Sequence, residues 1–198
     1  AIQRAGRAGR LMAGSCIRLF GEEGFNRRLE QPVSDILQTD LLPVLIEAAR
    51  WGVKALDALP MIELPPKKKE ALAWHELQSL NIVDEKRILT SHGDKVASLP
   101  THPRFASMLV NAVNIEKKHA ITGLTSLACI IAALLEERDI FYHGNNGARD
   151  NADIRLRVNA LISDKSHRYS RINKQVKQLA NKLKVKGSPA VPIEYCGE

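Results

Sequence analysis

The sequence predicts a mainly α-helical protein in which a winged-helix unit is followed by a helical bundle. Beyond Ser34, apolar residues recur at helical spacing through most of the chain. That pattern is interrupted by one short β-rich stretch, residues 81–89, with two predicted helices before it and another directly after it. Helix, helix, small hairpin and adjacent helix is the order of parts in a winged-helix domain.

The predicted winged-helix unit begins at Ser34, a suitable N-cap for a helix that runs to about Trp51. Pro66 can open a second helix that ends near Leu80. Residues 81–89 follow as a hairpin, and Thr90 and Ser91 cap a short helix that ends at Leu99-Pro100. Further helices are predicted over 103–113, 121–137, 151–162 and 166–185. The tail, residues 187–198, is expected to be irregular and to lie loosely on the surface.

The N-terminal part of the chain has a different character. It opens with an arginine- and glycine-rich stretch, after which residues 15–20 (SCIRLF) alternate loosely in polarity and predict a short strand ending at Gly21. Residues 22–32 are polar and predict a connector.

The positive charge of the chain is concentrated in one segment. The net charge is +7, yet residues 149–186 alone carry eleven Lys/Arg against three Asp/Glu, a local balance of +8. Such asymmetry indicates a polyanionic partner, although a solvated basic helix face would produce the same pattern.

Several classes of protein are disfavoured. No apolar run approaches the roughly 20 residues that span a bilayer, so no membrane partner is expected. The three cysteines are distant from one another and odd in number, which fits neither a disulfide framework nor a zinc site. Without a recognisable secretion leader, these features predict a cytoplasmic protein that holds no metal.

Some residues attract functional interpretations that their surroundings do not support. The six histidines lie at no recognisable ligand spacing. Trp51 and Trp74 occupy apolar helical positions and are predicted to be core residues rather than stacking platforms for bases. The lysine run 67–69 is predicted to be a solvated helix start.

The most informative motif is QRAGRAGR, residues 3–10. Arg7 and Arg10 are three residues apart, so in a helical turn their guanidiniums project from one face. Two permanently charged planar forks suit the oxygens of the terminal phosphates of a nucleotide. An arginine in that position stabilises charge that develops during phosphoryl transfer, an effect of roughly 10³–10⁵ in rate. The simpler alternative is a flexible Arg/Gly leader that adheres to RNA.

These residues carry a family resemblance. QRAGRAGR followed by G-x-C-x-R-L resembles motif VI of the DEAH-box helicases, and residues 35–41 (DILQTDL) are similar to the segment that leads those enzymes into their winged helix. Residues 89–93 (LTSHG) and 99–106 (LPTHPRFA) resemble the junction between winged helix and helical "ratchet" domain. His102-Pro103-Arg104, together with later residues in 128–157, is similar to the bacterial HrpB-like branch.

The resemblance implies roles for the motif residues. Gln3, Arg7 and Arg10 would contact ATP across the cleft between two RecA-like domains, with Arg7 and Arg10 as the catalytic pair. The parent enzyme would use ATP and Mg²⁺. This chain contains neither a GxxxxGK[ST] loop nor an acidic magnesium motif, so it is expected to lack the N-terminal RecA-like domains, to bind neither cofactor and to be inactive alone.

The resemblance also implies a division of the chain and a partner. Residues 1–34 would be the end of the second RecA-like domain, 35–100 the winged helix, 101–187 the ratchet-like bundle and 188–198 a tail. The winged helix and ratchet would close over single-stranded RNA or DNA. The expected nucleic-acid contacts are Arg155, Arg157, Arg171, Lys174 and Lys177.

Two other functions remain open on the sequence alone. A non-enzymatic winged-helix module that binds nucleic acid would explain residues 35–100 and the basic segment, but not the arginine motif. A protein-interaction bundle would leave the uneven charge unexplained.

Overall fold

The computed structural model describes residues 5–27, 33–141, 151–164, 168–185 and 191–196. The described chain is mainly helical, as predicted, and its only β-pairing is a single antiparallel bridge between Val83 and Leu89. Its helices are α1 (Glu22–Asn26), α2 (Asp35–Gln38), α3 (Leu42–Arg50), α4 (Lys67–Ser79), α5 (Ser91–Ala97), α6 (Pro103–His119), α7 (Leu124–Glu136), α8 (Ile154–Ser163) and α9 (Ser170–Lys182).

The single helix predicted over residues 34–51 is wrong, because the chain breaks it into α2 and α3. At the break, the Asp40 side chain accepts a hydrogen bond from the Leu42 backbone N–H at 2.9 Å and so restarts the helix. The second helix then ends before Trp51, which is 77% exposed, contrary to the core position predicted for it. Trp74 is only 1% exposed and confirms its prediction.

The predicted hairpin exists in a minimal form. Asp84 closes its turn by accepting hydrogen bonds from the backbone N–H groups of Lys86 and Ile88, both at 2.8 Å. The predicted cap of the next helix is confirmed, since the Thr90 hydroxyl accepts a hydrogen bond from the Gly93 N–H at 2.9 Å. The hairpin therefore leads directly into α5.

Two apolar clusters form the core, and α7 contributes to both. The first cluster joins α3, α4, the hairpin and α5 to α6, to one side of α7 and to Leu179 of α9. The second lies between the other side of α7 and helices α8 and α9. A helix that is apolar nearly all round, as α7 is, has to be covered on several sides. The helices after residue 100 are therefore packed around α7.

The tail departs from its prediction. Residues 191–196 do not lie loosely on the surface. Val191, Ile193 and Tyr195 pack against the second cluster, and Cys196 is buried there. A short 3₁₀ turn, Ile193–Tyr195, holds this contact.

The strand predicted over residues 15–20 is also wrong. This segment has no regular secondary structure, and Ile17 and Leu19 are 85% and 95% exposed. A strand needs a neighbour to satisfy its backbone groups, and the described part of the chain offers it none.

Glu116 of α6 fixes the start of α7. Its carboxylate accepts hydrogen bonds from the backbone N–H groups of Gly123 and Thr125, each at 2.9 Å, and from the Thr125 hydroxyl. Burial raises the pKa of Glu116, but these hydrogen bonds outweigh it and hold the pKa below its ordinary value. The ionised carboxylate therefore stabilises the fold at neutral pH.

We expect Glu116→Gln to lower the stability by about 1 kcal/mol at pH 7, because its NH2 group cannot accept as the second carboxylate oxygen does and the remaining bonds lose their charge assistance. Because folding lowers the pKa of Glu116, its carboxylate stabilises the folded protein fully at pH values above its unfolded-state pKa. This stabilisation is lost as the pH falls through the folded-state pKa. Thermal melts should therefore show a gap between variant and wild type that closes below about pH 4. Glu63→Gln, an exposed control, should show no gap, and a pH-independent gap for Glu116→Gln would contradict the assignment.

Candidate nucleotide and nucleic-acid sites

The arginine motif forms a tight turn. The Ala8 N–H donates to the Ala5 carbonyl at 3.0 Å, and Arg7 and Arg10 on this turn are both exposed. Neither guanidinium forms an ion pair with any residue that the structure describes. Both predicted catalytic residues are thus available to an anion, while Gln3 lies outside the described residues.

The chain folds back over this turn at Gly14. A Cβ atom on Gly14 would lie 1.8 Å from the Ala8 carbonyl oxygen, so only glycine permits the approach. The glycine that follows the motif therefore fixes the path of the backbone next to the two arginines.

Helix α9 presents a basic face to solvent. Ile172 and Leu179 are buried, whereas the predicted contacts Arg171, Lys174 and Lys177 are exposed. Their spacing of three residues places these side chains along one side of the helix. The structure thus brings together three of the five predicted nucleic-acid contacts.

Arg171 has a partner within the chain. Its Nε lies 2.8 Å from Glu137 Oε1, just beyond α7, although the Arg171 side chain is 85% exposed. An ion pair this exposed contributes little to stability, so the guanidinium can exchange partners at low cost.

The two predicted contacts on α8 differ from each other. Arg155 is exposed and pairs with Asp153, the N-cap residue of its own helix, at 2.8 Å. The Arg157 side chain is only 13% exposed, and its Nη2 lies 2.6 Å from Asp139 Oδ2. Arg157 also donates to the Asn151 carbonyl at 2.7 Å and lies 5.4 Å from the ring centroid of Phe141. Arg157 is therefore engaged in holding α8 against the segment that follows α7.

Lys182 was missing from the predicted contacts. It is exposed on α9, as are the amide side chains of Gln178 and Asn181, so the polar face continues to the end of the helix. Steps of four residues lead from Lys174 to Gln178 and Lys182, and from Lys177 to Asn181, so helical spacing would have found these three residues.

A cluster of charged side chains at the break between α2 and α3 was not predicted at all. Arg104, in the first turn of α6, lies with Nη1 3.0 Å from Asp40 Oδ2, and its Nη2 donates to Glu76 Oε2 at 2.9 Å. His102 Nε2 lies 3.3 Å from the same Asp40 oxygen. Burial raises the pKa of Asp40, but the Leu42 N–H, Arg104 and His102 outweigh it and lower the pKa. The cluster connects this break to α4 and α6.

Lys69 also contacts the break between α2 and α3. Its Nζ donates to the backbone carbonyls of Leu37 at 3.0 Å and Thr39 at 2.7 Å. The prediction of a solvated lysine run is therefore wrong for Lys69, while Lys67 and Lys68 are exposed as expected. The carbonyls at the C-terminus of α2 carry partial negative charge, which an ammonium group satisfies.

Within the described ranges, no three His, Cys, Asp or Glu side chains are arranged so that they could hold a metal ion. No helix in the part of the chain that the structure describes is both long and apolar enough to cross a membrane.

A scan of the chain against protein-family models finds no match. Individual proteins do match. The chain is 37% identical over 135 residues to the ATP-dependent RNA helicase HrpB of Escherichia coli, a match of 68% of this chain and 16% of that protein. It is also 37% identical over 123 residues to the ATP-dependent RNA helicase HrpA homolog of Haemophilus influenzae, covering 58% of this chain and 9% of that protein.

Solved structures agree with these sequence matches. The crystal structure of the Escherichia coli DEAH/RHA helicase HrpB superposes with a TM-score of 0.68 at 31% identity, covering 94% of this chain. The match takes in 21% of the HrpB chain, so the present chain spans only about a fifth of that relative. Because sequence and fold point to the same group, the chain belongs to the HrpB-like DEAH-box helicases and corresponds to a part of such a protein.

Proposed function

We propose that this chain is the C-terminal part of an ATP-dependent RNA helicase. In this proposal Arg7 and Arg10, with Gln3 beside them, contact the phosphates of ATP, and Mg²⁺ and the rest of the nucleotide are held by the missing N-terminal RecA-like domains. The observation that carries the proposal is that proteins matching most of the chain at 37% identity are named ATP-dependent RNA helicases. The non-enzymatic alternative gains no support from these matches.

The surroundings of the arginine motif support an incomplete ATP site. The two guanidiniums are exposed and lack partners in the described chain. The neighbouring apolar side chains of Leu11, Met12, Ile17 and Leu19 are also exposed, although such groups normally lie against other protein. A RecA-like domain that covers this segment would bury them and would supply the phosphate loop and metal ligands. Without it, the chain alone should not hydrolyse ATP.

We further propose the domain division that the resemblance implies, namely 1–34, 35–100, 101–187 and 188–198. The bridge between Val83 and Leu89 and the capped helix after it support a winged helix in the second segment. The packing of helices around α7 supports a bundle in the third. We place the protein in the cytoplasm, where the free thiols of its three cysteines would stay reduced.

Single-stranded RNA or DNA is the proposed partner of the C-terminal helices. The exposed Arg171, Lys174 and Lys177 on α9, with Arg155 nearby in sequence, supply positive charge for phosphate groups. Because Arg157 is occupied within the fold, its proposed contribution is to keep α8 in place.

The nucleic-acid part of the proposal can be tested on the chain itself. We expect weak binding to a short labelled RNA strand, with a slope of log affinity against log salt of about −0.7 for each phosphate neutralised. Replacing Arg171, Lys174 and Lys177 together by Glu should remove most of the affinity and flatten the slope by about 2, as three lost contacts require. Fluorescence anisotropy over a salt series measures both quantities.

The matched control replaces three exposed lysines outside the basic segment, Lys67, Lys68 and Lys86, by Glu. This variant changes the net charge by the same amount but should retain most of the affinity. Equal losses in the two variants would show that net charge, rather than the face of α9, governs binding. Lys69 is left unchanged because its hydrogen bonds belong to the fold.

A further inference from the structure

The exposed face of α9 has an unusual composition for a surface that binds a single strand. The sequence of the helix, SRINKQVKQLANK, contains no acidic and no aromatic residue. Lys174, Lys177 and Lys182 are exposed, and none of them pairs with a carboxylate among the residues that the structure describes. This face offers positive charge and neutral amide groups, and no negative charge.

Bases have nothing to stack on along this face. The nearest aromatic residue in sequence, Tyr169, is packed against the second core cluster, with the Arg168 guanidinium 5.6 Å from its ring centroid. Proteins that hold single strands combine a basic groove with aromatic platforms, and stacking supplies about 1–3 kcal/mol per base. A flexible strand on this face would lose conformational freedom without that compensation.

A duplex is better suited than a single strand to this face of α9. It presents about one charge per 1.7 Å of its axis, at positions that are already fixed. The thirteen residues of α9 extend over about 20 Å, enough for its lysines to meet several of those charges. Gln178, Asn181 and Lys182, with Pro100 opposite, also line a shallow groove of about 440 Å³. Their amide groups can donate to phosphate oxygens or accept from a ribose hydroxyl.

From this we propose that the exposed face of α9 binds the phosphate backbone of a double-stranded segment of the nucleic acid, independently of its sequence. The inference rests on the proposed function and names the form of nucleic acid that this one surface takes. In the longer protein α9 would then contact the duplex portion of the substrate more strongly than the single strand that the proposed function assigns to the C-terminal helices.

The test compares two probes on the intact chain: a labelled RNA strand, and the blunt duplex formed by that strand and its complement. We expect the duplex to bind at least about threefold more tightly at low salt, with a steeper slope than the roughly −2.1 that three contacts give for the single strand. Replacing Lys174, Lys177 and Lys182 together by Gln should abolish this preference. The triple Lys67→Gln, Lys68→Gln, Lys86→Gln should retain it, and circular dichroism checks that every variant keeps its helices.

The outcomes separate this inference from the proposed function. If the single strand binds as tightly as the duplex, and binding depends on the same three lysines, the duplex assignment is overturned and the proposed function stands. If neither probe binds, the duplex assignment and the nucleic-acid part of the proposed function are both overturned, and the ATP part is decided separately by the Arg7 and Arg10 variants. A duplex preference that survives the Lys174, Lys177 and Lys182 substitutions would also overturn the assignment, because the preference would then arise on another surface.

Discussion

In the longer protein that contains this chain, Arg10→Ala should lower the rate of ATP turnover by about a thousandfold or more. The guanidinium is expected to act on charge that develops on the transferred phosphoryl group, so its removal raises the barrier of the chemical step. Arg7→Ala should have a similar effect. Affinity for RNA should stay within a few fold of wild type, because the proposed nucleic-acid contacts lie on a different segment. Steady-state hydrolysis at saturating RNA and an equilibrium binding measurement check the two statements.

Two further variants sharpen this test. Arg10→Lys keeps the charge but loses the planar fork that reaches two oxygens at once, so we expect it to remain severely impaired. Arg27→Ala removes an exposed arginine outside the motif, whose only described ion pair is with Glu23 at 3.6 Å, and should turn over ATP normally. Normal hydrolysis by both Arg7→Ala and Arg10→Ala would show that the motif has been assigned wrongly.

Local patterns in the sequence were sufficient for the helices of the C-terminal half. Helical periodicity depends on neighbouring residues, so α6, α7, α8 and α9 were all predicted, with differences of a few residues at most of their ends. The Thr90 cap was predicted for the same reason, since its hydrogen bond to Gly93 spans three residues.

Contacts between distant residues account for most of the errors. The apolar helical pattern continues through Thr39, whereas in the structure α2 ends before that residue. The Thr39 carbonyl accepts a hydrogen bond from Lys69, thirty residues further along the chain. The side chain of Asp40 similarly meets Arg104 across the fold. The strand predicted over 15–20 depends on a partner strand, which the described chain does not provide. None of these contacts leaves a local signal in the sequence.

The predictions of site residues divide in the same way, between local patterns and contacts between distant residues. The arginine motif is a contiguous pattern, so it predicts Arg7 and Arg10 as site residues directly. The basic segment predicts nucleic-acid contacts on α8 and α9 by charge alone, but charge does not distinguish a solvated arginine from an engaged one. Arg157 was therefore grouped with Lys174, although Asp139 and Asn151 hold its guanidinium within the fold.

Gly93 is the position where we expect a single methyl group to cost most stability. It lies buried in the first turns of α5, where the hairpin passes directly over the helix. A Cβ atom there would lie 2.0 Å from the Ile82 carbonyl oxygen and 3.0 Å from Leu89 Cδ2. The Ile82 oxygen cannot move away freely, because it accepts the Thr90 N–H at 3.0 Å. The Ile82 backbone and the Leu89 side chain therefore leave no room for a Cβ atom.

Gly93→Ala should accordingly destabilise the protein by about 3 kcal/mol, the upper part of the range for overpacking a filled site. Alanine is the better helix former, so propensity alone predicts a small gain, and the sign of the change separates the two effects. Gly24→Ala in α1 is the matched control, because a Cβ atom there meets nothing within 4 Å. Urea unfolding measures the difference for both variants. If Gly93→Ala were as stable as wild type, the close crossing of the hairpin over α5 would be wrong, and with it the tight junction on which the winged-helix assignment depends.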